Sequence, residues 1–510
     1  MRRDLGELTG RRHDLLVVGA GVHGAAIAWD ATLRGLSVAL IERGDFGGAT
    51  SANSLRIGHG GLRYLARGDF RRMRESIRER SLLLALAPGL VVPYPVLVPT
   101  QGSGTESRGA MRVALALNDL ASADRNRGLD RAHRIPRGRV LSRAEAVRLF
   151  PPLAARPLTG GALWHDARIR SPERLTVSFV RSAAERGAAA ANYVEATRII
   201  VRDGEVAGVE AVDRRGGGSL TIEARAVVIA AGRWTSSLAP GSAPAPGPPR
   251  QALALNLMVG RLLAPTAVGV RARTGADADP VIGGRRYIFL APQEGCTLAG
   301  TWYGIDDGTD SPAVAAAGAE RLRAELNEAC PGLDLGPPDV SRVQVGWMPL
   351  RAGLEPGRPT ALADRIRFRD HGADGIRHLC SVEGVKYTTA RGVAAQVVDH
   401  LARDLGKPAA PCRTAVTPLT GAHYVAADDP RLAERIREAV REEMALTLAD
   451  VVYRRTMIGE PPGPDRGLVE QAATIAGEVL GWDEATRLGE IGEVMRQAGG
   501  PLAEHGMVTA

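Results

Sequence analysis

Apolar and polar positions at the beginning of the chain follow one another in the order of a βαβ unit. The run DLLVV at 14–18 is short, apolar and followed by glycine, which is typical of a buried parallel strand. A glycine-rich turn, a helical stretch with small residues (VHGAAIAWDATLRG) and a second apolar run (SVALI) come next. Strand, turn, helix and strand in this order indicate an α/β fold.

Later segments alternate between strand and helix patterns. The segment NYVEATRIIVRDGEVAGVEAVD predicts two strands joined by an Asp-Gly turn, and TIEARAVVI predicts another strand. Strands are also expected at 251–263 and 286–303, after a Pro/Gly/Ala linker at 239–250. The stretch 376–400 predicts a strand, a turn and a helix, and a proline-containing break near 408–418 precedes a helix-rich tail.

Composition and charge narrow the class of protein. The chain has 510 residues, which corresponds to two or three domains. Its net charge of +8 suits an anionic substrate, an anionic cofactor or an acidic membrane surface, or it reflects arginine spread over a solvated surface. Basic residues of the helical segment 68–87 are expected to form a solvated face. Because no compact run of Lys and Arg occurs, no nucleic-acid partner is predicted.

Cysteines and apolar runs give no sign of secretion or of a membrane span. The four cysteines (Cys296, Cys330, Cys380 and Cys412) form no CxxC pair, so reduced thiols and no metal site are predicted. The N-terminal segment lacks the apolar core of a signal peptide, and the longest apolar region, 82–98, is interrupted by prolines. A cytoplasmic protein is expected, with peripheral contact to the inner face of the cell membrane left open.

A dinucleotide fingerprint follows the first strand. Gly19, Gly21 and Gly24 form GxGxxG, in which the glycines permit a tight turn, the approach of a pyrophosphate, and close helix–strand packing. Glu42 ends the next strand, 18 residues after Gly24, where an acidic side chain binds a ribose hydroxyl. The fingerprint therefore predicts dinucleotide binding at the N-terminus of the helix.

Three further segments favour FAD over NAD as the dinucleotide. The loop GDFGGATSANS supplies hydroxyl groups suited to phosphate and ribitol, from Thr50, Ser51 and Ser54. A later strand ends in Ala-Ala-Gly at Gly232, which is similar to the "ATG" strand of flavoproteins with two dinucleotide folds. The segment GVKYTTARG places Gly384, Lys386 and Thr388 at a helix N-terminus, where such proteins stabilise the pyrimidine end of the flavin.

Long stretches of the chain resemble the FAD-dependent glycerol-3-phosphate dehydrogenases. ATSANSLRIGHGGLRYL at 49–65 is similar to their Ser-rich loop and HGGLRYL block, which is the most specific part of the resemblance. WHDARI, RYIFLAP, SVEGVKYTTAR and MALTLADVVYRRTMIG resemble later segments of the same family. The resemblance extends over nearly the whole chain.

The resemblance implies a reaction and assigns residues to it. The family oxidises sn-glycerol 3-phosphate to dihydroxyacetone phosphate, passes a hydride to flavin N5, and delivers electrons to a quinone or to oxygen. Arg63 and Tyr64 resemble the pair that holds the substrate beside the flavin, Lys386 the lysine near both, and His59 the histidine near the isoalloxazine. His59, Tyr64 and Lys386 are the candidate proton acceptors, and Lys386 is favoured because a buried lysine acquires a lowered pKa.

The chain departs from the family on the side that faces the substrate. Asn256 stands where the family has a histidine, and Met348 where it has an arginine, so both become candidate substrate-contacting residues. Arg351 is a candidate replacement for the lost charge. Trp302 and Tyr303 either make the pocket more apolar or belong to the core, and the core is favoured for Trp302. This pattern predicts an intact flavin side and a divergent substrate pocket.

The expected architecture is α/β with three parts. A discontinuous FAD-binding Rossmann-like domain is predicted for 1–80, 155–240 and 370–405. An antiparallel-sheet substrate or cap domain is predicted for 81–154 and 241–369, and a helical C-terminal domain for 406–510. Whether the protein forms a homodimer is left open.

Four functions remain compatible with the sequence. The first is oxidation of sn-glycerol 3-phosphate. The second is a related flavin oxidase or dehydrogenase acting on a non-phosphorylated alcohol or amine. A flavin-binding protein without turnover is the third, and an NAD-dependent dehydrogenase, which the FAD-like segments disfavour, is the fourth.

Overall fold

The computed structural model describes residues 1–65, 67–239, 251–272, 281, 286–306, 308, 311–351, 361–407, 410–460 and 463–498. Most of the predicted linker at 239–250 lies outside these residues. The described strands are β1 (His13–Val18), β2 (Val38–Ile41), β3 (Ile57–Gly58), β4 (Val91–Thr100), β5 (Arg139–Ser142), β6 (Gly160–Ile169), β7 (Ala189–Ala191), β8 (Val194–Arg202), β9 (Glu205–Asp213), β10 (Ser219–Ile229), β11 (Gln251–Val259), β12 (Ala267–Arg271), β13 (Tyr287–Pro292), β14 (Thr297–Asp306), β15 (Val340–Met348), β16 (Arg367–Asp370) and β17 (Leu379–Glu383).

The described α-helices pack on these strands or form the C-terminal part. They are α1 (Leu5–Thr9), α2 (Val22–Leu33), α3 (Leu62–Leu65), α4 (Phe70–Leu86), α5 (Arg108–Ala121), α6 (Arg143–Leu149), α7 (Pro172–Ala184), α8 (Thr235–Leu238), α9 (Ser311–Ala329), α10 (Ala390–Asp404), α11 (Leu432–Glu442), α12 (Leu448–Asp450), α13 (Arg466–Leu480) and α14 (Glu484–Ala498). A π-helical turn, Val451–Arg455, follows α12 directly.

The first sheet contains the βαβ unit with the predicted dinucleotide fingerprint. Its strands lie in the order β16-β17-β10-β1-β2-β7; β17, β10, β1, β2 and β7 run parallel to one another, and β16 pairs antiparallel with β17. Every residue of β1 is buried, as its continuous apolar pattern requires. α2 lies against α7 and α10, and the three helices share one apolar core with the sheet. The predicted βαβ unit and α/β class are confirmed.

The second sheet is mainly antiparallel and forms the cap. Its order is β15-β11-β14-β13-β12-β4-β6-β3, with β5 paired to β6. α9 packs on β11 and β14 over a separate apolar core. β6 lies in this sheet and pairs along its length with β4, although the sequence range 155–240 was predicted for the cofactor domain. The sheet that a strand joins depends on segments distant in the sequence, so the local pattern of β6 could not indicate its pairing with β4.

The predicted hairpin after residue 192 is confirmed. β8 and β9 pair antiparallel, and the turn between them is Asp203-Gly204. β10 continues the hairpin through its first half and joins the parallel sheet through its second half. The hairpin is therefore an extension of the cofactor sheet.

The C-terminal helices form a third core and are joined to the cofactor domain by buried ion pairs. α11, α12, α13 and α14 enclose their own apolar cluster. Arg455 Nη1 and Nη2 donate to the two carboxylate oxygens of Asp45 at 2.7 and 2.8 Å, and Arg454 Nε donates to Asp45 at 2.6 Å. Asp45 belongs to the loop after β2, so these bonds connect the C-terminal part to the wall of the cofactor cavity.

One expectation for the basic helix 68–87 was wrong. Arg80 of α4 does not join the solvated face, because its side chain is 2% exposed and its Nη1 donates to Asp166 Oδ1 at 3.1 Å. Asp166 lies on β6 and neutralises the buried guanidinium. Among the described helices, none combines the length and the apolar character that crossing a bilayer requires.

Candidate cofactor and active site

The glycine-rich turn between β1 and α2 has the close contacts that the fingerprint predicts. Gly19 has φ of +100°, and a Cβ atom there would lie 2.6 Å from the Ala230 carbonyl oxygen. A Cβ atom on Gly24 would lie 1.9 Å from the Gly19 carbonyl oxygen. Gly21 is the N-cap of α2 and has no side chain to cover the helix end. The turn therefore leaves the N-terminus of α2 accessible to an anion.

Glu42 and the hydroxyl-rich loop after it surround this turn. The Glu42 carboxylate accepts hydrogen bonds from the backbone N–H groups of Ala20 and Gly44 at 2.8 and 3.0 Å. Ser51 Oγ accepts from the Val22 N–H at 3.0 Å, at the first turn of α2. These contacts place the carboxylate and the hydroxyl beside the glycine-rich turn, where the fingerprint predicts a ribose and a pyrophosphate.

A cavity of about 760 Å³ runs from the glycine-rich turn to the cap sheet. This volume lies within the range of cofactor and ligand sites. The predicted site residues in its lining are Gly19, Gly21, Glu42, Thr50, Ser51, Ser54, Gly232, Gly384, Lys386, Asn256 and Met348. The predicted residues outside the described lining are Gly24, Thr388, His59, Arg63, Tyr64 and Arg351. Gly24 acts through packing, and Thr388 is buried two residues before α10 begins.

Lys386 connects the cavity to a cluster of polar side chains behind it. Lys386 Nζ lies 4.4 Å from the centre of the Tyr64 ring, and Arg63 Nη2 donates to Tyr64 Oη at 3.0 Å. The guanidinium of Arg72 lies 5.2 Å from the same ring centre. Arg63, Tyr64 and Lys386 are thus brought together, although they are far apart in sequence.

The cluster shifts the pKa values of its members. Burial lowers the pKa of the Lys386 ammonium; Tyr64 opposes this shift, and the charges of Arg63 and Arg72 add to it, so the pKa is lowered overall. Burial alone would raise the pKa of the Tyr64 phenol, but Arg63 and Lys386 outweigh it and lower this pKa. Lys386 therefore loses its proton more readily than a free lysine and can accept one from a substrate hydroxyl.

His59 lies next to the same cluster and stays neutral. Its ring centre is 6.1 Å from that of Tyr64. Burial and the charges of Arg63, Lys386 and Arg80 hold the pKa of His59 well below its usual value. Its Nδ1 is buried and has no hydrogen-bond partner among the described residues. A neutral imidazole with a free nitrogen can accept or donate one hydrogen bond to a bound ligand.

The cap side of the cavity carries the predicted departures. Asn256 on β11 is 2% exposed, and its Oδ1 accepts a hydrogen bond from Thr301 Oγ1 at 2.8 Å. Met348 ends β15 and lines the cavity without any charge. Trp302 is a core residue, since it is 7% exposed and packs in the cluster under α9. Tyr303 lines the cavity.

Arg351 does not reach the cavity. Its exposed guanidinium forms an ion pair with Asp364. The carboxylate neutralises the charge that was expected to face the substrate. The expectation that Arg351 replaces the lost family arginine therefore has no support in this geometry.

Reasoning from sequence missed several lining residues, among them His23, Arg233 and Trp347. His23 lies inside the fingerprint itself, and a Cβ atom on Gly384 would approach its ring to 1.9 Å. Burial lowers the pKa of His23 to about 4, so this ring is neutral. Arg233 and Trp347 line the junction of the two sheets. For Arg233, the one feature of the sequence that could have indicated a place at the cavity is its position directly after Gly232.

Outside the cavity, the four cysteines are free thiols. The Cys380 thiol, a carboxylate oxygen of Asp370 and a ring nitrogen of His400 lie within 4.8 Å of one another. The spacing of the cysteines in the sequence did not indicate this grouping.

The chain matches two family models. Residues 14–400 match the FAD dependent oxidoreductase family, and residues 368–487 match the C-terminal domain of alpha-glycerophosphate oxidase. The first match covers most of the chain and both sheets. The second covers α10 and most of the C-terminal helices.

Curated relatives and solved structures agree with these matches. A glycerol-3-phosphate dehydrogenase from Synechocystis is 32% identical over 430 residues, which cover 82% of this chain and 75% of the relative. An aerobic glycerol-3-phosphate dehydrogenase from Staphylococcus aureus is 28% identical over 80% of this chain and 71% of the relative. The crystal structure of the glycerol-3-phosphate dehydrogenase from Bacillus halodurans with FAD shares the fold, with a TM-score of 0.71, 24% identity, and coverage of 98% and 97% of the two chains. The chain is therefore an FAD-dependent oxidoreductase that belongs to the glycerol-3-phosphate dehydrogenase family.

Proposed function

We propose that the protein oxidises sn-glycerol 3-phosphate to dihydroxyacetone phosphate. The observation that carries this proposal is the grouping of Arg63 and Tyr64 behind Lys386, which lines the cavity. The names of the curated relatives support the same substrate. Bound FAD supplies the acceptor for the carbinol hydride at its N5 atom.

The protein side chains have separate tasks in this reaction. Lys386 accepts the proton of the secondary hydroxyl, because its lowered pKa provides a fraction of neutral amine. Tyr64 orients the Lys386 amine through the contact at 4.4 Å. Arg63 donates to Tyr64 and contributes positive charge that attracts the phosphate dianion.

A second candidate is oxidation of a non-phosphorylated alcohol or amine. The observation in its favour is the neutral wall formed by Met348 and Asn256, which supplies no cation for a phosphate. Asn256 has no basic nitrogen, and its Oδ1 already accepts a hydrogen bond from Thr301, so it cannot act as a proton acceptor.

The two candidates differ in which compound reduces the flavin. Purified holoenzyme is mixed anaerobically with sn-glycerol 3-phosphate or with glycerol, and bleaching of the visible flavin band is followed. We expect rapid bleaching by the phosphorylated compound only. If dithionite reduces the flavin but sn-glycerol 3-phosphate does not, the second candidate replaces the first.

We further propose that the reduced enzyme passes electrons to a quinone at a membrane surface, with oxygen as the alternative acceptor. Val113, Leu117 and Leu120 recur at helical spacing on α5 and are 60%, 43% and 76% exposed. Arg74 pairs with Asp124 at 2.8 Å, which holds the end of α5 against α4. An exposed apolar stripe beside exposed arginines of α4 is suited to an anionic phospholipid surface.

A further inference from the structure

Arg233 stands at the junction of the two sheets, on the wall of the cavity. It follows the end of β10, and its guanidinium lies 4.0 Å from the centre of the Trp347 ring on β15. The ring of Trp234 lies 5.7 Å from the same guanidinium. The side chain is 23% exposed. Stacking on aromatic rings holds the guanidinium in one position and keeps its N–H groups available.

The guanidinium of Arg233 has no hydrogen bond to any described residue. The nearest carboxylate oxygen of the described residues is Asp306 Oδ2, at 3.8 Å from Nη2. The Asp306 carboxylate already accepts from Trp347 Nε1 at 2.6 Å, from Ser311 Oγ at 2.7 Å and from the Gly308 N–H at 2.8 Å. Burial lowers the pKa of Arg233, consistent with a cation that is short of partners. Unused donors of a partly buried cation are energetically costly unless a ligand accepts from them.

The other arginines of the described lining have closer acidic partners. Arg454 donates to Asp45 and to Asp450, each at 2.6 Å. Arg43 lies 3.6 Å from a carboxylate oxygen of Glu195. Among the arginines of the described lining, Arg233 therefore lies farthest from its carboxylate partner.

We propose that Arg233 is a phosphate-binding residue of the cavity, and that its planar fork donates two parallel hydrogen bonds to a phosphate group. The phosphate belongs either to the substrate, a source that rests on the proposed function, or to the pyrophosphate of FAD. For the substrate, Arg233 supplies the positive charge on a wall where Met348, next to Trp347, carries none.

The test compares Arg233→Met and Arg233→Lys with the control Arg202→Met. Arg202 is 65% exposed on β8, and its carboxylate partner Glu223 is 3.9 Å away. Inorganic phosphate is titrated into each holoenzyme while the visible flavin spectrum is recorded. The affinity of each apoprotein for FAD is measured by quenching of flavin fluorescence.

The two sources give different results. If Arg233 binds substrate phosphate, Arg233→Met weakens inorganic phosphate binding about tenfold or more and leaves FAD affinity unchanged. If it binds the pyrophosphate, FAD affinity falls by about that factor instead. Arg233→Lys keeps the charge, so it should retain an intermediate affinity and serves as the second variant should Arg233→Met fail to fold.

The proposal is overturned if both affinities of the Arg233 variants match those of Arg202→Met. It is also overturned if the unsubstituted holoenzyme binds no inorganic phosphate and the FAD affinity is unaffected by substitution. These measurements need no turnover. The unsubstituted enzyme could fail to oxidise sn-glycerol 3-phosphate while Arg233→Met still weakens phosphate binding. That result would refute the proposed function and support the phosphate site.

Discussion

Replacing Glu443 with glutamine should weaken the joint between the C-terminal helices and the cofactor domain. Glu443 is 3% exposed, and its carboxylate accepts from Arg174 Nη1 and Nη2 at 2.5 and 2.7 Å. Arg181 Nη1 donates to the same carboxylate at 2.7 Å. Arg174 and Arg181 lie on α7. The substitution removes the buried negative charge that the two guanidinium groups share and replaces one of the two acceptor oxygens with an NH2 donor.

The expected loss follows from the pKa of Glu443. Burial opposes ionisation, but the charges of Arg174, Arg455 and Arg181 outweigh it and lower the pKa from 4.5 to about 2. At about 1.4 kcal/mol per pKa unit, this shift corresponds to roughly 3 kcal/mol of stability at neutral pH. Breaking a buried ion pair by removing one partner costs about the same, ~3–5 kcal/mol.

The pH dependence has a definite sign. Since the pKa of Glu443 is lowered in the folded state, its contribution is fully present above pH 4.5 and is lost as the pH falls towards about 2. Urea unfolding is measured at pH 7 and at several values below pH 5. The curves of Glu443→Gln and of the unsubstituted protein should approach each other as the pH falls.

The neighbouring residue provides a matched control. Glu442 has a side chain that is 57% exposed and lies 3.7 Å from Arg181, so Glu442→Gln should change stability by less than about 0.5 kcal/mol. Equal unfolding midpoints for Glu443→Gln and Glu442→Gln at pH 7 would refute the reasoning.

Three further predictions concern catalysis, the cofactor and the membrane. Lys386→Met should lower the rate of anaerobic flavin reduction by about 10²–10⁴-fold. In the unsubstituted enzyme this rate should rise with pH below the ordinary lysine pKa of 10.5, and the variant should lose that rise. A variant rate within threefold of the unsubstituted rate, with the same pH dependence, would exclude Lys386 as the proton acceptor. Gly24→Ala should lower FAD affinity about tenfold or more, because its Cβ would lie 1.9 Å from a backbone oxygen, whereas Gly489→Ala, which has open space in α14, should bind FAD normally; equal affinities would contradict the packing role. Leu117→Ser combined with Leu120→Ser should reduce sedimentation with anionic phospholipid vesicles about tenfold, and unchanged sedimentation would show that α5 does not contact the membrane.

The cofactor half of the molecule could be predicted from sequence because its signals are local. The apolar run of β1, the glycines of the fingerprint and Glu42 lie within one βαβ unit, and each glycine has a steric reason visible in the turn. The hydroxyl-rich loop after Glu42 and the segment around Lys386 also line the cavity.

The features that were missed depend on residues distant in the chain. Arg80 looked like a surface residue of an amphipathic helix, and only the pairing of β6 with β4 brings Asp166 to it. Arg351 looked available to the substrate, and only the fold shows that Asp364 takes its charge.

The role proposed for Arg233 depends in the same way on distant residues. Its place after Gly232 marks the end of a strand. The packing of the cap sheet against the cofactor sheet brings Trp347 to Arg233, so that the guanidinium stacks on the indole ring. The guanidinium has no hydrogen bond to the described residues.

Anaerobic flavin reduction by sn-glycerol 3-phosphate tests the central claim most directly. The holoenzyme is mixed with the compound in a stopped-flow instrument at neutral pH, with Lys386→Met as the comparison. We expect saturable bleaching of the flavin in the unsubstituted enzyme and bleaching at least about a hundredfold slower in the variant. A flavin that stays oxidised with sn-glycerol 3-phosphate, but is reduced by dithionite, would contradict the proposed function.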